Sequence, residues 1–106
     1  ELLKPGAVQP ALTADSADLA LGRLDHFRHA SGGSPTAEIR LDMQRTMQAH
    51  CAVFRDTALL DEGKAKLAAT YARMQDIGIK DRSLVWNTDL VETLELDNLI
   101  SQATVT

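Results

Sequence analysis

The sequence predicts an all-α fold: an antiparallel three-helix bundle with a shorter leading helix. Three observations carry that expectation. Apolar residues recur at three- and four-residue steps in four segments. Serine, glycine and proline breaks separate those segments, and the connectors are short enough to make successive helices antiparallel neighbours. No segment alternates apolar and polar residues convincingly, so no sheet is expected.

Residues 1–14 hold Pro5 and Pro10 with little periodicity and read as an extended lead-in, leaving 15–106 as the bundle domain. Asp15 or Ser16 can cap a first helix reaching about Ala30, with Leu19, Ala20, Leu24, Phe27 and Ala30 on its apolar face. Ser31 to Pro35 (SGGSP) breaks the chain. Ser34 followed by Pro35 then signals a second helix, because proline suits the first helical position and a serine hydroxyl satisfies free amides. This helix is expected to run to about Arg55, with Ile39, Met43, Met47, His50 and Phe54 as its buried stripe. Thr57 can cap a third helix carrying Leu60, Leu67, Tyr71 and Met74 on one face, with Gly78 ending it near Ile77. Residues 79–87 form a connector. A last helix starts around Asn87 to Asp89, where Asp89 and Glu92 resemble a capping box; Leu90, Leu94 and Ile100, flanked by Val91, Leu96 and Leu99, make its apolar face.

The 106 residues suffice for one domain with a modest core. A formal charge of −4 argues against nucleic acid, which calls for a basic patch. The charge is unevenly placed. All 11 Lys and Arg lie at or before Arg82, so Asp89, Glu92, Glu95 and Asp97 carry the whole excess. An acidic final helix seeks basic groups, from Arg40 or Arg45, from a following segment, or from a neighbouring domain. One cysteine forbids an internal disulfide and any multi-cysteine metal site, and fits a reducing compartment. No stretch is apolar enough to insert in a membrane, and no basic start precedes an apolar run as in a signal peptide. The chain begins with Glu1 rather than Met and stops at Thr106 with a helical pattern still running, so it is read as a piece of a longer protein.

The candidate chemical groups are few. His26 and His29, three apart on the first helix, are the residue type for a shared metal, but no carboxylate on a second element completes the set; a surface histidine pair is the plainer reading. His50 on a methionine-bearing stripe admits a haem ligand, against the plainer reading of a hydrogen-bonded core histidine. Cys51 has no electropositive neighbour in sequence and reads as a packing residue. Arg55 either serves a helix C-terminus or pairs with another domain. Trp86 either closes the bundle or anchors a neighbouring domain. Gly32–Gly33 form a helix break rather than a phosphate loop. No catalytic, cofactor-binding or metal residue is therefore assigned.

Two blocks are distinctive: MQRTMQAHCAVFR (Met43 to Arg55) and DRSLVWNTDLVETLELDNL (Asp81 to Leu99). They resemble the C-terminal helical domain of the succinate dehydrogenase and fumarate reductase flavoprotein subunits, with succinate dehydrogenase the nearer match and L-aspartate oxidase a more distant relative. The resemblance covers about residues 36–104, and residues 1–35 look like the family's lead-in from the flavin-binding part. It implies a parent enzyme that oxidises succinate to fumarate on covalently held FAD and passes electrons to an iron–sulfur subunit, then on to quinone. It further implies a peripheral place on the cytoplasmic face of the bacterial inner membrane, or on the matrix side in mitochondria. In the family the flavin-attaching histidine, the dinucleotide loop and the substrate-binding residues precede this segment, and a basic, histidine-containing block follows its last helix. The chain is thus expected to be an inactive structural and docking domain, without cofactor of its own, partnered by the flavin-binding domain of the same chain and by the iron–sulfur subunit. The competing expectations are a stand-alone helical interaction module with an acidic face, and a small cofactor-binding bundle built on His50.

Overall fold

A computed structural model describes residues 4–106 of the chain. Four α-helices appear in order: α1 (Ser16–Arg28), α2 (Thr36–His50), α3 (Thr57–Ala72) and α4 (Thr88–Val105), with a single 3₁₀ turn, Arg73–Asp76, extending α3. The all-α bundle expected from sequence is the fold observed. Arg73 of the turn after α3 reaches back to Asp42 and Glu38 in the first half of α2, so α3 runs antiparallel to α2. Arg23 of α1 pairs with Asp97 of α4, and Arg28 at the end of α1 bonds the Arg82 carbonyl ahead of α4, so these two are antiparallel as well.

The core forms where the apolar stripes meet: Phe27 from α1, Ile39 and Met43 from α2, Leu67 from α3, Met74, Ile77 and Ile79 after it, and Leu90, Leu96 and Ile100 from α4. Burying a large aliphatic side chain is worth about 1.5–3 kcal/mol, and these ten residues tie every helix to one centre. Two threonines cross the core from α2 to α4. Thr93 donates to the Asp89 carbonyl at 2.7 Å, which uses its single proton. Thr36 must therefore be the donor in the buried 2.6 Å Thr36–Thr93 hydrogen bond.

The structure corrects several expectations. A small sheet exists: Ser34–Pro35 (β1) pairs in parallel with Ile77–Gly78 (β2). Two-residue strands are too short to display alternation, so the pattern could not show them. Glycine permits the approach, since a Cβ on Gly32 would overlap the Asp76 carbonyl and one on Gly78 the Gly32 carbonyl. Asp76 fastens the same break, accepting from the Gly33 amide at 3.3 Å and the Ser34 hydroxyl at 3.1 Å. Ser34 is thereby diverted from capping α2, whose N-cap position is Pro35 with no side-chain cap. The first helix ends at Arg28, two residues short of Ala30, and Leu19 is exposed.

The second helix ends at His50 rather than Arg55, because residues 51–56 reverse the chain between α2 and α3. Phe54 thereby leaves the stripe and stands 88% exposed. Asp56, not Thr57, caps α3, accepting from the Leu59 amide at 2.9 Å. Asn87 does the same for Leu90 at the start of α4, while Asp89 turns outward to accept from the Lys80 amide at 3.1 Å.

Candidate functional site

The connector between β2 and α4 is irregular backbone held by side-chain hydrogen bonds. Arg82 donates to the carbonyls of Arg28 at 2.9 Å and Ala30 at 3.4 Å, and Arg28 returns a bond to the Arg82 carbonyl. The buried Asn87 amide donates to the carbonyls of Asp81 and Ser83, both at 2.9 Å, while its oxygen caps α4. Asp81 accepts from the Ser83 amide, which, with the Ser83 hydroxyl second, holds its carboxyl below the usual carboxylate range. This scaffold presents Leu84, Val85 and Trp86 to solvent, 65%, 71% and 95% exposed. Trp86 has φ +57°, the left-handed region that bulky side chains avoid. Its exposure shows that it does not close the bundle. Leu84 and Trp86 border a shallow apolar recess of about 330 Å³ with Leu90 and Val91.

The acids of α4 find partners within the chain. Arg40 reaches Glu95 at 3.3 Å and the Glu92 carbonyl at 3.2 Å. Asp97 pairs with Arg23, which also bonds Asn98 at 2.9 Å. Of the basic groups expected from sequence Arg40 is used, whereas Arg23 was missed because α1 was not foreseen as the neighbour of Asp97. Asp89 accepts from the Lys80 backbone amide, so three of the four acids are engaged internally, while Glu92 stays exposed.

The remaining candidates do not converge. His29 Nδ1 bonds the Asp25 carbonyl at 3.0 Å, and His26 makes an edge-on contact with Phe27. Among the described residues no three His, Cys, Asp or Glu side chains are grouped to hold a metal ion. His50 is buried, and its Nε2 lies 3.1 Å from the Lys66 ammonium. An ammonium only donates, so Nε2 accepts; Nδ1 is buried without a partner. Lys66 also binds Glu62 at 2.7 Å and, with a smaller contribution from His50, holds that carboxyl below its usual range. Gly63 lets α3 press on this ring, since a Cβ there would lie 2.5 Å from His50 Cβ. Cys51 is half-buried beside it. Arg55 bonds the Ala52 carbonyl at 3.0 Å, serving the turn after α2.

The glycine turn before α2 does not fit a dinucleotide. Its amides are already spent on Ile77 and Asp76, and the Asp76 carboxylate would repel a phosphate there. A depression of about 510 Å³ beside it is lined by Lys80 and Arg82 but also by Asp89 and Glu92, so it makes no clamp for two carboxylates. No helix among the described residues is long and apolar enough to cross a membrane.

Comparison with known proteins matches residues 40–106 to the family described as "Fumarate reductase flavoprotein C-term". The succinate dehydrogenase flavoprotein subunit of Rickettsia conorii is 48% identical over 106 residues, all of this chain and 18% of that protein. A mitochondrial succinate dehydrogenase (ubiquinone) flavoprotein of Xenopus laevis is 48% identical over 100 residues, 94% of this chain and 15% of its own. Among solved structures, E. coli quinol fumarate reductase FrdA, in a point-mutant form, superposes with a TM-score of 0.79 at 31% identity, over 91% of this chain and 17% of that one. The chain therefore spans less than a fifth of the length of these relatives.

Proposed function

The chain belongs to the fumarate reductase flavoprotein C-terminal family, and from that premise we propose that it is the helical docking domain of the FAD-containing subunit of a succinate dehydrogenase. The observation that carries this reading is the 48% identity to the Rickettsia flavoprotein, which runs the full length of this chain. In the proposal residues 1–14 lead in from the flavin-binding part and 15–106 form the domain that packs on it. The intact subunit oxidises succinate to fumarate on FAD and hands electrons to an iron–sulfur subunit, then to quinone, peripheral to the bacterial inner membrane or on the mitochondrial matrix side. The domain supplies no catalytic side chain and is inactive alone. Its exposed apolar residues, Trp86 and Phe54 foremost, support a role in contact with other protein surface.

Calorimetric titration of the chain with FAD and with succinate tests the assignment of chemistry to the rest of the subunit. No saturable heat is expected; micromolar affinity for either ligand would overturn it.

A further inference from the structure

Resting on the docking reading, we infer that the Leu84–Val85–Trp86 turn is the anchor of that docking, and that its occupant is a neutral, apolar surface on the remainder of the same flavoprotein polypeptide. The first ground is preorganisation. A tryptophan in the left-handed region at 95% exposure contributes strain and no burial to this domain, yet the backbone beneath it is fixed by Arg82, Asn87 and Ser83. A contact held in place before it meets its partner loses little freedom on binding, which is what an anchor requires. Tryptophan is also the residue type most enriched where binding energy concentrates.

The occupant follows from charge and size. Residues 83–88 (SLVWNT) carry no charge, and Arg82 and Asp81 on their flank are committed to the scaffold, so the turn selects an apolar surface rather than a charged one. Three side chains cover far less than the roughly 800 Å² per partner that stable complexes of free proteins bury. A contact that small holds when its partner is tethered, because the linker raises the effective concentration to about the millimolar range. More than four-fifths of each relative's polypeptide lies outside the matched segment and is tethered in this way.

The test uses the intact flavoprotein subunit with a benzophenone side chain introduced at Trp86 or, separately, at Leu84, and at Phe54 and Glu95 as comparison sites. After irradiation of the purified subunit, mass spectrometry should locate the Trp86 and Leu84 crosslinks on a peptide of the same polypeptide outside these 106 residues. Trp86→Ser should release the domain to protease ~10-fold faster or more, as loss of an anchor does. Crosslinks from Trp86 and Leu84 confined to the domain itself, to a second copy or to a different subunit, or no crosslink at all, would overturn the inference. If Phe54 or Glu95 alone reaches the remainder of the chain, docking stands and the assignment of the turn falls; if no probe reaches it, both fall.

Discussion

At Trp86 the backbone conformation and the side chain are at odds, since the left-handed region costs a bulky residue about 1–2 kcal/mol. Asparagine enters that region readily. Trp86→Asn is therefore expected to raise the stability of this chain by up to about 1 kcal/mol, read as a higher urea midpoint at unchanged slope. A loss of about 1 kcal/mol or more would mean that the indole supports the fold. The Glu62–Lys66–His50 cluster makes a different residue-scale prediction. A carboxyl whose pKa is depressed in the folded state contributes stability above its unfolded value, near 4.5, and loses it as pH falls through the lower folded value. Lys66→Met should remove that contribution, so the wild-type advantage in melting temperature at about pH 6 should shrink by about pH 3. An equal difference at both pH values would contradict it. His50, set on a core stripe, was legible as buried; its lysine partner was not, because nothing local links residue 50 to residue 66.

Among the elements, the helices were readable from apolar residues at helical spacing, although Leu60 and Tyr71 of the expected α3 face lie exposed at 37% and 41%; the helix ends were not readable. Phe54 continues the α2 period in sequence, yet the six residues from 51 to 56 are needed to turn the chain, and that requirement leaves no local periodic signal. Asn87 and Asp56 cap by rules visible in sequence, but several Ser, Thr, Asp and Asn residues near each start compete for the role. On α4 the facing residues now separate. Leu96, fully buried, should lose about 2–5 kcal/mol on truncation to alanine, whereas Leu94 lies at the core's edge and should lose less. Equal losses in denaturant titrations would put the helix phase in doubt. The threonine pair gives a sharper test. Thr93→Val leaves the Thr36 hydroxyl buried without its acceptor and should cost about 1–3 kcal/mol. Adding Thr36→Val should recover part of that loss, and a fully additive double mutant would show that the hydrogen bond is not the coupling.

Over the whole molecule, the acids of α4 that suggested an interdomain role are largely satisfied within the bundle, by Arg40, Arg23 and the Lys80 amide. The exposed apolar side chains include Leu84 to Trp86 ahead of α4 and Val53 and Phe54 after α2, while Glu92 and much of Glu95 also face solvent. The fold class and the family were legible in sequence because helical periodicity and two long blocks carry them. The exposed apolar turn was not, since exposure of Trp86 depends on how residues 79–87 are tied to α1, through bonds between residues 54 apart. We propose that this domain acts by docking on the flavin-binding part, and thereby supports flavin retention, rather than by chemistry. Measuring bound flavin per subunit in the intact flavoprotein, with and without the segment spanning residues 15–106, tests it most directly. Docking predicts that the truncated subunit retains markedly less flavin, and that adding this chain in trans restores part of it. Undiminished flavin content after truncation would contradict the account.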